Sequence, residues 1–336
     1  MNKQELWKKE NIKKEALEAE ERIREHIRET PVEYSPYLSR LGNCRVFLKL
    51  ENVQISGSFK LRGAMNKILS LNKQQKDRCI ATASSGNHGA AFAYLLHKFA
   101  LKGMIYLPDY ASQAKIEILR LYGADLKIYG SDCVQTEYFA REEAERNGFV
   151  YVPPYNDVKI IGGQATVGIE LVRQLEKFDT VLIPVGGGGL ISGIAGYLKS
   201  LDNKIEIIGC QPENSAVMYE SIKTGKIVEM ESKPTLSDGS AGGIEKGSIT
   251  FDICKNYVDD FILVSEEEIE EAIKLCIEKH YMLVEGAGAL SVASLIKEKE
   301  RFNKKKVVLI ISGSKISLSL LREILCKGER KNDKNI

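Results

Sequence analysis

The chain lacks the charge excess, the long apolar runs and the clustered cysteines that mark nucleic-acid-binding, membrane-spanning and metal-holding proteins. Lys and Arg number 48 against 46 acidic residues, a net charge of +2 over 336 residues. So even a balance leaves no electrostatic footprint for nucleic acid or an anionic membrane. No apolar run is long enough to span a bilayer, and the start, MNKQELWKKENIKKEALEAEERIREH, is too charged for a signal peptide. The seven cysteines (Cys44, Cys79, Cys133, Cys210, Cys254, Cys276 and Cys326) form no Cys-x-x-Cys pair, and the four histidines are dispersed. That scatter excludes a disulfide framework and a zinc centre, and points to reduced thiols. Internal repeats and low-complexity linkers are missing too. The expectation is a cytoplasmic protein that takes a small-molecule substrate and binds no metal, nucleic acid or membrane.

What is present is an ordinary core-forming composition, 43% hydrophobic. From Ile12 to Ile27 the apolar residues Ile12, Ala16, Ala19, Ile23 and Ile27 recur at three or four positions, one face of a helix stopped at Thr30-Pro31. Short apolar runs follow at 44–51, 79–84, 103–108, 124–130, 180–186, 205–211, 260–265 and 306–312, with helical patterns between most of them. Continuous apolar strands alternating with helices predict an α/β protein with mostly parallel sheets covered on both faces. Tyr151 to Tyr155, with the pair Pro153-Pro154, reads as a crossing between domains, and 327–336 as a flexible tail.

Two junctions between strand and helix carry chemistry. The run TVLIPV enters GGGGLISGIAGYLK (186–199), where Gly186, Gly187, Gly188 and Gly189 leave bare backbone N–H groups at a helix start. Such a start favours an anion, above all a phosphate. One glycine would serve a tight turn; four in a row argue for the ligand. The dinucleotide spacing of glycines at relative positions 0, 2 and 5 is not met, and the next strand ends in Cys210-Gln211 rather than an acid. A P-loop's Gly-Lys-Ser/Thr is missing as well, so the phosphate is not a nucleotide's. The second junction, ATASSGNHGAA (81–91), gathers Ser84, Ser85, Asn87 and His88. Those donors suit a carboxylate, and they equally suit a polar helix cap with a satisfied histidine.

Residues 56–64, SGSFKLRGA, set Lys60 after a Ser-Gly-Ser turn with Phe59 beside it. A reactive lysine, a phosphate nest and a carboxylate loop together fit pyridoxal phosphate acting on an amino acid. Its aldehyde needs an amine whose pKa burial has depressed.

With PTLSDG (234–239) and LIISGS (309–314), these segments resemble the threonine/serine dehydratases and serine racemases, fold-type II pyridoxal-phosphate enzymes related to the tryptophan synthase β chain. The likeness runs from about Ile27 to Leu325. It implies two open, twisted, mostly parallel sheet domains: a large one, 1–78 with 153–326, and a small inserted one, 79–152, that closes over substrate. It also implies that Lys60 bonds covalently to the cofactor, Phe59 packs near its ring and Asn87 meets its hydroxyl. Gly186 to Gly189 hold the phosphate, and Ser312 faces the pyridine nitrogen. Ser84, Ser85, Asn87 and His88 fall in the loop that folds over the substrate carboxylate, Glu285 orients cofactor or amine, and relatives are homodimers or homotetramers.

The activity implied is dehydration and deamination of L-threonine or L-serine to 2-oxobutanoate or pyruvate and ammonia. Ser85 stands where serine racemases deliver a proton from the opposite face, so racemisation is the first rival. Dehydration of another β-hydroxy amino acid is a second. β-Replacement, whose enzymes resemble Ser-Val-Lys-Asp-Arg at the lysine, and a non-catalytic cofactor-binding protein are weaker ones. Where metal-using relatives carry two acids, this chain has Gln211 and Val217, so no bound magnesium is expected. Ser314-Lys315 replaces the usual Gly-Asn, and Gly286 the usual proline after Glu285.

Overall fold

The computed structural model describes residues 8–327 apart from 110, 112, 132 and 232. The expected tail at 328–336 lies outside the described residues. Ten strands form: β1 (Val32–Tyr34), β2 (Arg45–Leu50), β3 (Ile80–Ala83), β4 (Gly103–Leu107), β5 (Asp125–Ile128), β6 (Val150–Tyr151), β7 (Thr180–Pro184), β8 (Glu206–Pro212), β9 (Asp260–Val264) and β10 (Lys306–Ile311). Six make one sheet in the order β1-β2-β10-β7-β8-β9, and four make another in the order β5-β4-β3-β6. Every pairing is parallel except β1 against β2.

Alternation along the strands shows why both faces are covered. In β10, Val307, Leu309 and Ile311 enter one apolar core while Val308 and Ile310 enter another. β7 does the same, with Leu182 on one side and Val181 and Ile183 on the other. A strand buried on both faces has no polar positions to offer, hence the continuous apolar runs. A third core joins the helix Lys60–Leu69, through Leu61, Ala64, Met65 and Ile68, to Ile80, Phe92 and Ile105 around the smaller sheet.

All eight predicted strands form within two residues of their expected limits. β1 and β6 were not predicted; they are three and two residues long, too short to show a period. The N-terminal helix runs Lys9–Ile23 and its last turn tightens into a 3-10 segment, Arg24–His26, so the regular α-helix ends before Ile27. Cys44, Cys79, Cys210, Cys254, Cys276 and Cys326 are free thiols. No helix among the described residues is long and apolar enough to cross a membrane, and among them no group of His, Cys, Asp and Glu is arranged to hold a metal.

Strand order fixes where a ligand can sit. In the larger sheet the chain leaves β7 for β8 on one side, while β10 lies on the other; in the smaller one β3 has β4 and β6 on either side. Loops leaving the carboxyl ends of strands at such reversals splay apart and leave a crevice. The glycine run follows β7, Ser312 follows β10, and the Ser-Ser-Gly-Asn-His loop follows β3.

Candidate active site

The lysine segment is stitched to the end of β10. Ser58 bridges Gly313, and Phe59 N donates to the Ser312 carbonyl at 3.1 Å. Lys60 then opens its helix without a side-chain cap before it. Its Nζ donates to the Pro154 carbonyl at 2.9 Å. Burial lowers this amine to about 8, against the fields of Glu137 and Glu285, which favour its charge. An amine in that range is neutral for about one-fifth of the time at physiological pH, far more than an exposed lysine, as a nucleophile or base requires.

Behind the helix, Arg62 is fully buried and fixes its start. Its guanidinium is bidentate to Glu51, with both N–O distances 2.7 Å, and reaches Glu170 at 2.7 and 2.8 Å. Lys49 completes the cluster at 2.5 Å from Glu170, and all four side chains are 0% exposed. The network ties the lysine helix to the end of β2 and to the helix Val158–Gln174.

Pro154 links Lys60 to the glycine loop, because the next residue, Tyr155, packs against it. A Cβ on Gly187 would lie 2.6 Å from the Tyr155 ring, and one on Gly186 2.9 Å from Ser240 Cα. Gly188 has a left-handed φ of 87° and would put a Cβ 2.7 Å from Met218 Cε. It is the N-cap of the helix Gly189–Leu201, with no side chain capping that helix start. The cradle thus keeps bare N–H groups facing outward, which is what a phosphate requires.

On the opposite wall Asn87 opens the helix Asn87–Lys98, and its Nδ2 donates to Glu285 Oε1 at 2.6 Å. Glu285 Oε2 accepts from Lys315 N at 3.0 Å. Burial, with Asp238 adding to it, raises Glu285 to about 7, against these two donors. A Cβ on Gly286 would lie 2.0 Å from the Leu236 carbonyl, so the residue in proline's usual place must be glycine for PTLSDG to pass so close. His88 is turned inward, 2% exposed, with Nε2–H on the Val152 carbonyl at 3.2 Å. Burial, then the Lys60 cation, depresses it to about 3, so it is neutral. Ser84 Oγ accepts from Gly86 N at 3.2 Å, and Ser85 is half-buried in the same loop. Gln211 is fully engaged, its Oε1 accepting from Tyr219 N at 2.9 Å and its Nε2 donating to the Ser215 carbonyl.

The structure therefore brings Lys60, Phe59, Ser312, Asn87, Glu285 and the glycine loop to one crevice, with Ser84, Ser85 and His88 on its rim and wall. The sequence reading missed the far side. There Arg141, in the helix Cys133–Arg146, reaches Glu245 at 2.9 Å; Asn156 Nδ2 donates to Glu245 at 2.8 Å, and Tyr155 Oη accepts from Glu245 N at 2.8 Å. Glu137, one turn before Arg141, is half-buried and burial raises it to about 7. Only the odd density of glycine before Glu245, in GSAGGIEKG, hints at this wall.

The residues present fit pyridoxal phosphate. Asn87 Oδ1, Ser58 Oγ and His88 Nδ1 are buried without hydrogen-bond partners. Such orphaned atoms are rare unless a ligand or water completes them. Beside them lie an uncapped anion nest and an amine held near neutrality. Comparison with known proteins agrees. The family model described as pyridoxal-phosphate dependent enzyme matches residues 23–313. The chain is 37% identical over 320 residues to an L-threonine ammonia-lyase of Thermotoga maritima, covering 95% of this chain and 79% of that one. It is 39% identical over 315 residues to a catabolic L-threonine dehydratase of Staphylococcus aureus, covering 93% and 91%. The solved structure of maize serine racemase superposes with a TM-score of 0.87 at 31% identity, covering 96% of this chain and 98% of that one. By motif, crevice and kinship alike, the chain belongs to the pyridoxal-phosphate-dependent enzymes, and pyridoxal phosphate is its cofactor.

Proposed function

We propose that this protein dehydrates and deaminates L-threonine, L-serine or both, giving 2-oxobutanoate or pyruvate and ammonia. The observation that carries the reading is the placing of one depressed-pKa amine, Lys60, between the glycine nest and the Ser312 end of β10. The relatives named as acting on threonine support the substrate class.

When bound, the cofactor supplies an aldehyde that captures amines and a ring that withdraws electrons from Cα. Gly186, Gly187, Gly188 and Gly189 would hold its phosphate, Phe59 and Asn87 its ring, and Ser312 its nitrogen. Ser312 offers a neutral hydroxyl where a carboxylate would enforce a ring proton, which favours prompt loss of a β leaving group. Lys60 Nζ takes the Cα proton as general base. Ser84, Ser85 and Asn87 would orient the substrate carboxylate, and Glu285 would fix Asn87. In this reading the segment 79–152 is a unit that swings against 1–78 and 153–326, excluding water when substrate is bound. The protein is a homodimer or homotetramer of the cytoplasm, which light scattering and fractionation test.

Lys60→Ala is expected to lose both the yellow colour of the loaded protein and all keto-acid formation, without losing its fold. Near-normal deamination by that variant would refute the mechanism. A second reading, serine racemisation, draws support from Ser85 beside Asn87 and from the likeness to maize serine racemase. Chiral chromatography of unreacted L-serine separates the two.

A further inference from the structure

The small unit, 79–152, brings Asn87 and its loop to the crevice, so the crevice is complete only while that unit lies against the rest of the chain. Among the described residues, two ion pairs cross from 79–152 to the remainder, and both end on one short segment. Lys115, in the helix Gln113–Leu121, lies 3.2 Å from Asp238; Arg141, in the helix Cys133–Arg146, lies 2.9 Å from Glu245. The cations stand on different helices. The acids are close neighbours in the chain.

The segment between those acids runs along the crevice. A Cβ on Gly239 would lie 3.6 Å from Glu285 Oε1 and 3.9 Å from Asn87 Nδ2. Ser240 closes on the glycine nest, its Cα 2.9 Å from where a Cβ on Gly186 would be. Ile244 is buried in the core with Val185 and Leu190, and Glu245 N donates to Tyr155 Oη at 2.8 Å. The Tyr155 ring fills the space beside Gly187, and its neighbour Pro154 accepts from Lys60 Nζ at 2.9 Å. Glu245 Oε2 accepts from Asn156 Nδ2 as well as from Arg141. One carboxylate thus joins the small unit to the residues beside the lysine and the nest. Between these anchors Gly242 has φ 114°, and Gly247 beyond Glu245 has φ 71°, with nothing within 4 Å of a Cβ at either. The segment has fixed points and free joints.

The exposure of the pairs suits a catch that opens in each turnover. Lys115 and Asp238 are 41% and 61% exposed, Arg141 and Glu245 33% and 23%. Pairs so exposed each contribute little and break readily. We propose that Asp238 and Glu245 form a two-point latch that holds the small unit closed over the crevice. Glu245 is in addition the positioning residue that links this closure to Tyr155. The inference rests on 79–152 moving as a unit, and its kinetic readout on the dehydratase reading above. Substrate makes its full contacts only in the closed form, so its apparent affinity scales with the closed fraction.

The test compares the cofactor-loaded wild type with Lys115→Met, Asp238→Asn and the two combined. Each single change should raise KM for L-serine about two- to fivefold, the usual worth of an exposed pair, with kcat held within about twofold. The double variant should match the worse single one, since one pair breaks only once. Adding Glu245→Gln to Asp238→Asn should multiply the rise, because the second catch is released. Hydrogen–deuterium exchange of the substrate-free holoenzyme is read alongside. Amides of 238–248 should exchange faster in every variant as the open form grows, while those of β7 and β10 keep wild-type rates. Unchanged KM and exchange in the single variants, a double variant whose rise is the product of the two, or a loss confined to kcat overturns the latch. If a single variant fails to fold, Lys115→Asp with Asp238→Lys replaces it: recovery relative to Lys115→Asp alone supports the latch, and no recovery overturns it. Wild-type enzyme that turns over no hydroxy amino acid refutes the dehydratase reading, and exchange, which needs no substrate, then judges the latch.

Discussion

Arg62→Met keeps the length of the buried side chain and removes its charge. Glu51 then loses its bidentate partner and keeps one hydroxyl donor, Thr30 Oγ1 at 2.6 Å. Glu170 retains Lys49 and the partly exposed Arg24 at 2.8 Å. Although burial pushes Glu170 up, Arg62 and then Lys49 hold it down to about 2, a measure of how strongly the cations favour its charged form. One partner of a buried, hydrogen-bonded ion network typically costs about 3–5 kcal/mol to remove, because a charge stays behind uncompensated. For a chain of this size, whose unfolding entropy is about 0.7 kcal/mol/K, that is a fall in melting temperature of roughly 4–7 °C. Differential scanning calorimetry of the cofactor-free protein reads it. The decisive control is Arg62→Met combined with Glu51→Gln. If the stranded Glu51 charge is the cost, the double variant is more stable than Arg62→Met alone. A single-variant loss below about 1 kcal/mol, or a double variant worse than the single, would falsify the argument.

Gly187→Ala drives a methyl into the Tyr155 ring at 2.6 Å and should weaken cofactor binding about tenfold or more, ~1.4 kcal/mol, in a fluorescence titration. Gly243→Ala, with nothing within 4 Å of its new carbon, should leave that affinity unchanged; equal losses would count against the nest. Because burial holds Lys60 near 8, its neutral form should grow from about pH 7, reach half near 8 and level off above about 9. An exposed lysine would rise on to about 10.4. Competitive acetylation of the cofactor-free protein, read at Lys60 by mass spectrometry, follows that curve, and a midpoint near 10 would contradict the buried amine.

Local chemistry made much of this molecule legible in the chain. β7 and β10 are strands because their runs are apolar at every position, and they are apolar throughout because both faces are covered. Lys60 stood out because a Ser-Gly-Ser turn and Phe59 surround it, and the glycine run because four bare N–H groups need an anion. The assignment of Asn87 to the crevice came from family likeness. The hydrogen bond that fixes its partner could not be read, since Glu285 lies 198 residues away.

What no stretch of sequence carried is convergence. Glu137 looks like any acid on an amphipathic helix, and Glu245 like a loop residue. They come together on one side of the crevice only because Arg141, one turn after Glu137, reaches a partner 104 residues on. Gly286 reads as a lapse from a family proline until the Leu236 carbonyl is seen lying where a side chain would go. Strand and turn preferences are set by neighbours within a few positions, so the chain itself determined its elements, its lysine and its anion nest. Which charges lose their partners to burial depends on contacts between distant segments, and that the tertiary structure alone decided.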